Sequence, residues 1–163
     1  ARGPPPARAT KTILAPTTVL RSMPDFCEKV EPEDITEQLW GALSGYAYYM
    51  KDRLGAYRWA VPGSWTMREF AAGKEKKLQT SRDMIFLNRA FDGLTQGRHH
   101  EAFEHAVRYE EYQILCLERR LRKIKRAPYR DFYLAETKKR RIRLHMEACC
   151  PRLTARYIAW KRR

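Results

Sequence analysis

Apolar residues recur at helical spacing in successive blocks along this chain. Ile35, Leu39, Leu43, Tyr46, Met50 and Leu54 stand at intervals of four, four, three, four and four, which lines one face of a helix. Trp40, Ala47 and Tyr49 widen that face. Glu31-Pro32-Glu33-Asp34 comes just before it. Pro and acidic residues suit a first helical turn, where a missing N–H is harmless and the helix dipole favours negative charge. Gly55 reads as the stop, and the GxxxG of Gly41 and Gly45 reads as tight packing on a neighbouring helix. Residues 56–63 read as a loop ended by Pro62-Gly63. Ser64 is the predicted N-cap of a helix over WTMREFAAGKEKKL, weakened by Gly73. Thr80 or Ser81 is the predicted cap of the next, with Met84, Ile85, Leu87, Phe91 and Leu94 on its apolar side and Gly93 and Gly97 at its end.

The longest pattern runs from Arg98 to Arg126. Phe103, Val107, Ile114, Leu117, Leu121 and Ile124 follow an alternating four-three seam, with Glu110 as its polar member. Tyr109, Tyr112 and Leu115 broaden the apolar side. Such a seam predicts one long helix packed within a bundle. Pro128 breaks it, and residues 129–150 predict a further helix with Tyr133, Leu134, Ile142 and Met146 as its apolar positions. Pro151 ends that helix, and 153–163 predict a short amphipathic close. The fold class expected is all-α, a small helical bundle. Three parts are expected: an extended arm over 1–30, carrying Pro4, Pro5, Pro6, Pro16 and Pro24, a helical core over 31–126, and a basic helical extension over 127–163.

Charge changes the picture at the C-terminal end. The net charge is +14, and residues 119–163 hold 17 of the 33 Lys and Arg against only Asp131, Glu136 and Glu147. Residues 1–118 are therefore neutral. A neutral body with a cationic tail suits RNA phosphates, anionic lipid headgroups or acidic protein partners. Lys138, Lys139, Arg140, Arg141 and Arg143 form the densest part of that tail. Tyr129, Phe132, Tyr133, Tyr157 and Trp160 are interleaved with the cations, which leaves base stacking on RNA open beside contact with protein or lipid. No run reaches the roughly 20 apolar residues of a membrane span. The chain opens on Ala1, and ARGPPPARATKTILAPTTVLR carries no acidic residue before Asp25. That composition predicts an organellar import segment or the stretch beside its cleavage site.

Candidate chemistry is sparse. His100, Glu101, Glu104 and His105 give HExxxH rather than HExxH, so the two imidazoles diverge and a solvated helix start is expected, with no metal site. Adjacent Glu110 and Glu111 do not converge on one point of a helix. Cys27, Cys116, Cys149 and Cys150 contain no CxxC and read as reduced thiols. No cofactor and no catalytic residue is expected.

The segment Arg82-Asp-Met-Ile-Phe-Leu-Asn-Arg89-Ala90-Phe91-Asp92, then Arg108-Tyr109-Glu110-Glu111 and the Tyr- and Leu-rich run to Leu121, resembles a known family. It is similar to the small matrix-facing, ubiquinone-binding helical subunit of the mitochondrial cytochrome bc1 complex (ubiquinol–cytochrome c reductase, respiratory complex III). Arg53-Leu54-Gly55 resembles the family's upstream Lys-Leu-Gly, at a distance from Arg89 that needs no gap, so the likeness spans residues 46–126. The family's Leu-Pro before the Arg-Ala motif and its Trp before the Glu-Glu motif are absent here. The resemblance implies a non-catalytic accessory subunit of the respiratory electron-transport chain. It would lie peripherally on the matrix side of the mitochondrial inner membrane and contact cytochrome b and other complex III subunits, with anionic lipid open to the basic tail. It also implies Leu54, Gly55, Arg82, Arg89, Glu110 and Glu111 as core and subunit-contact positions. A mitochondrial ribosomal protein binding rRNA through the basic tail, or an accessory subunit of another respiratory complex, is the alternative expectation.

Overall fold

A computed structural model describes residues 13–30, 33–46, 48, 61–64, 67–68 and 71–154. Every regular element among them is helical, so the fold is all-α, as the periodicity predicts. The chain divides into two compact units, residues 1–73 and 74–163.

In the first unit, α1 spans Thr17–Arg21, a 3-10 turn spans Asp25–Lys29, and α2 spans Glu33–Ser44. Pro16 and Pro24 stand immediately before the first two, with φ of −58° and −62°. Their rings fix the chain at the entry, where an N–H would have no helical acceptor. The indole N–H of Trp40 donates to the Val19 carbonyl at 2.8 Å, which ties α2 to α1. Cys27, Val30 and Thr36 are buried. The helix predicted from Ile35 to Leu54 is shorter than its pattern, because α2 ends at Ser44. The Ser44 hydroxyl turns back to the Trp40 carbonyl at 2.8 Å, and Gly45 follows as a bend. Residues 47 and 49–60 lie outside the described residues, and Leu54 and Gly55 with them.

The second unit is built on a helical hairpin. Helix α3 spans Lys74–Leu94 and α4 spans His100–Leu117. Leu78, Leu87 and Phe91 are buried on α3, and Phe103 and Val107 on α4. The Phe91 and Phe103 rings stack across the hairpin at 6.4 Å between centroids. Thr80 and Ser81 are not caps but mid-helix residues. The Thr80 hydroxyl donates to the Lys76 carbonyl at 3.0 Å, satisfied by its own helix, and Ser81 is buried. Helix α3 therefore starts just after Gly73 and runs unbroken through the predicted boundary.

Both hairpin helices end in the same way. The Gly97 N–H donates to the Asp92 carbonyl at 3.1 Å and the Gln96 N–H to the Gly93 carbonyl at 3.0 Å. At the end of α4 the Arg120 N–H reaches the Leu115 carbonyl at 2.9 Å and the Arg119 N–H the Cys116 carbonyl at 3.0 Å. This paired pattern is the Schellman motif, whose turning residue has positive φ and is usually Gly. Here the turning residues are Gln96 at φ 51° and Arg119 at φ 61°. The long helix predicted from Arg98 to Arg126 is thus corrected to α4 plus a separate turn, α5, over Leu121–Ile124. The seam bends at Arg119 because the chain reverses there, and Leu121 and Ile124 return toward α4 from a new direction.

Helix α6 spans Arg130–Ala135 and α7 spans Lys138–Cys149. The single helix predicted over 129–150 is split by an extended Glu136, after which the Thr137 hydroxyl caps α7 by accepting from the Arg140 N–H at 3.2 Å. Tyr112, Cys116, Ile124 and Leu144 form a core cluster, with Leu115, Leu121, Tyr129, Phe132 and Tyr133 packed around it. Leu144 is the buried anchor of α7.

Candidate docking surface

Of the positions singled out on the hairpin, Glu110 and Glu111 make contacts inside the unit. Glu110 on α4 accepts a hydrogen bond from the buried Ser81 hydroxyl of α3, and burial pushes its carboxyl above the ordinary range despite that bond. Glu111 receives the Tyr129 hydroxyl at 2.9 Å and lies 3.8 Å from the Arg89 guanidinium. Glu110 thus links α4 to α3 and Glu111 links it to the segment before α6, with the exposed Arg89 guanidinium nearby. Arg82 is exposed on α3.

The imidazoles of the HExxxH segment diverge. His100 Nδ1 meets the Asp92 carboxylate at 2.7 Å, a link across the hairpin turn that raises the imidazole pKa, first by the hydrogen bond and then by the carboxylate charge. His105 instead packs edge-on against Phe132, with centroids 5.1 Å apart. Among the described residues no group of three or more His, Cys, Asp or Glu is placed to hold a metal ion. The four cysteines are free thiols: Cys27 and Cys116 are buried, and Cys149 and Cys150 are exposed.

The basic segment has two sides. Its described aromatic rings, Tyr129, Phe132 and Tyr133, are half-buried against the core. Phe132 lies 5.8 Å from Tyr112 and 5.6 Å from Tyr109 between centroids, and the Tyr112 hydroxyl reaches the Glu136 carboxylate at 3.4 Å. Tyr112 is fully buried, which drives its phenol pKa upward. The Tyr133 hydroxyl meets His145 Nε2 at 3.0 Å. Arg140, capped into the first turn of α7, is half-buried, and its charge acts on Tyr112 and Cys116. Arg143 pairs with Glu147 at 2.6 Å.

The outward side is aliphatic and cationic. Leu134, Ile142, Met146 and Leu153 are 50%, 60%, 44% and 64% exposed. Ile142 and Met146, named as apolar positions of this helix, stand opposite Leu144, and only Leu144 of the three reaches the core. Tyr133, Lys138, Arg141, Ile142, His145 and Met146 line an open groove of about 480 Å³. Lys125 and Arg141 sit over the Tyr133 ring at 5.8 and 5.9 Å from its centroid. Among the described residues Lys125, Lys138, Lys139 and Arg141 have no carboxylate partner. No helix among the described residues is long and apolar enough to cross a membrane. No protein-family model matches the chain, and neither the curated proteins nor the solved structures compared with it give a match.

Proposed function

We propose that this chain is a non-catalytic accessory subunit held in a larger assembly by its basic C-terminal unit. The assembly favoured by the motifs around Arg89 and Glu110-Glu111 is respiratory complex III, on the matrix side of cytochrome b. The observation that carries the accessory role is the outward face of α7, where Ile142 and Met146 lie exposed beside Lys138 and Arg141. Exposed aliphatic side chains gain free energy only when something covers them. Cations beside them select an anionic cover.

The same observation ranks the alternatives. A ribosomal protein reading its rRNA through stacked bases needs exposed rings. Among the described residues of the basic segment, Tyr129, Phe132 and Tyr133 are half-buried around Tyr112 and Ile124, and Tyr157 and Trp160 lie outside the described residues. What favours the ribosomal reading is the cationic excess alone, 17 Lys and Arg against three carboxylates over residues 119–163. Native-gel separation of detergent-solubilised mitochondria, with and without nuclease, tests the choice. Co-migration with cytochrome b, insensitive to nuclease, is expected. Release of the chain by RNA hydrolysis would replace the complex III reading with the ribosomal one.

A further inference from the structure

We infer that the α7 face is a docking surface for an anionic phospholipid bilayer. The inference deepens the peripheral membrane placement proposed above, but its physical basis is the face itself. An interfacial helix lays aliphatic side chains into the boundary between headgroups and acyl chains, while Lys and Arg at its margins reach the phosphates. On α7 the aliphatic line is Ile142 and Met146, with Leu134 of α6 and Leu153 beyond the helix also exposed. Lys138, Lys139 and Arg141 stand around the beginning of that line, and Arg152 stands exposed at its far end.

Three observations favour lipid over the other anionic covers. The groove between Tyr133, Ile142 and Met146 is open rather than a deep slot, so it offers a partner helix little enclosure. Aliphatic groups gain little from RNA, whose affinity comes from phosphate charge and stacking. On this face the one described phenol ring is Tyr133, half-buried and covered by Lys125 and Arg141, so it offers a base little open surface. Inward anchoring by Leu144 and the Thr137 cap holds α7 in register, so the face is formed before any surface is met. The attraction has two parts of different character. Phosphate pairing by the cations weakens with salt, and aliphatic burial does not.

Co-sedimentation of the purified full chain with vesicles tests this. One set is phosphatidylcholine alone, and the other is phosphatidylcholine with about a third of an anionic phospholipid. Binding to the anionic set, and not to the neutral one, is expected. Lys138→Ala and Arg141→Ala should each weaken it about fivefold, the effect of one surface cation near an anionic leaflet. Ile142→Asp with Met146→Asp should abolish it at every salt concentration, with unchanged helical circular dichroism because both sites are exposed.

Equal binding to the two vesicle sets, or aspartates at 142 and 146 without effect, would overturn the inference. So would binding of single-stranded RNA or an acidic helical peptide, but not of vesicles, that the same substitutions remove. The face would then belong to that other class of partner. Because the assay contains no cytochrome b, a negative result leaves the native-gel outcome to be judged separately.

Discussion

Arg119 is the residue at which the chain turns from hairpin to basic segment, and it does so at φ 61° with an ordinary side chain. The left-handed conformation costs an L-residue about 1 kcal/mol, because Cβ crowds the following carbonyl. Arg119 is exposed, so its replacement removes no packing. Glycine relieves the crowding but also gains freedom in the unfolded chain. Arg119→Gly should therefore raise stability by about 0.5 kcal/mol, and Arg119→Val should lower it by about 1 kcal/mol, read as denaturation midpoints. Identical midpoints would mean that position 119 does not hold this conformation in solution. The same residue explains why the end of α4 was invisible in the sequence. The usual signal is a glycine past the last turn, and here an arginine occupies that place within an uninterrupted apolar seam.

Between elements, Glu110 makes the contact between α3 and α4 depend on pH. Burial holds its carboxyl above the ordinary value of 4.5, and the Ser81 hydrogen bond offsets only part of that rise. A carboxyl of this kind binds its proton more tightly in the folded chain than in the unfolded one. Its stabilising share is complete below the unfolded value and is lost as pH climbs through the folded one. Glu110→Gln keeps an acceptor for Ser81 without the buried charge. The variant should melt higher than the parent at pH 7 and show a flatter dependence of Tm on pH. A lower Tm for the variant at pH 7 would mean that the charged form is the better partner for α3. For α7 the contrast is between neighbours. Leu144→Ala should cost about 3 kcal/mol in urea unfolding, and Ile142→Ala less than about 0.5 kcal/mol. The reverse order would place the other face of α7 inward.

Across the whole molecule, the class of structure was legible and the orientation of its parts less so. Helical spacing gave the all-α fold, and Leu87, Phe91, Phe103 and Val107 came out as core residues because α3 and α4 are long enough to average over local exceptions. The phase of α7 was not legible. With Lys or Arg at five of its first six positions, apolar content alone could not decide between Leu144 inward and Ile142 with Met146 inward. Tertiary contact with Tyr112 and Cys116 decided it. The docking face was missed for the same reason, since an exposed aliphatic pair and a buried one look alike in one dimension. The Schellman turn at Arg119 has one more consequence. Because α5 and α7 pack on the closing turns of α4, the basic segment has no platform until the hairpin exists, while Phe91 and Phe103 meet within a short loop. The cationic segment that carries the docking face thus depends on the hairpin for its packing, and loosening the end of α4 would loosen that face with it.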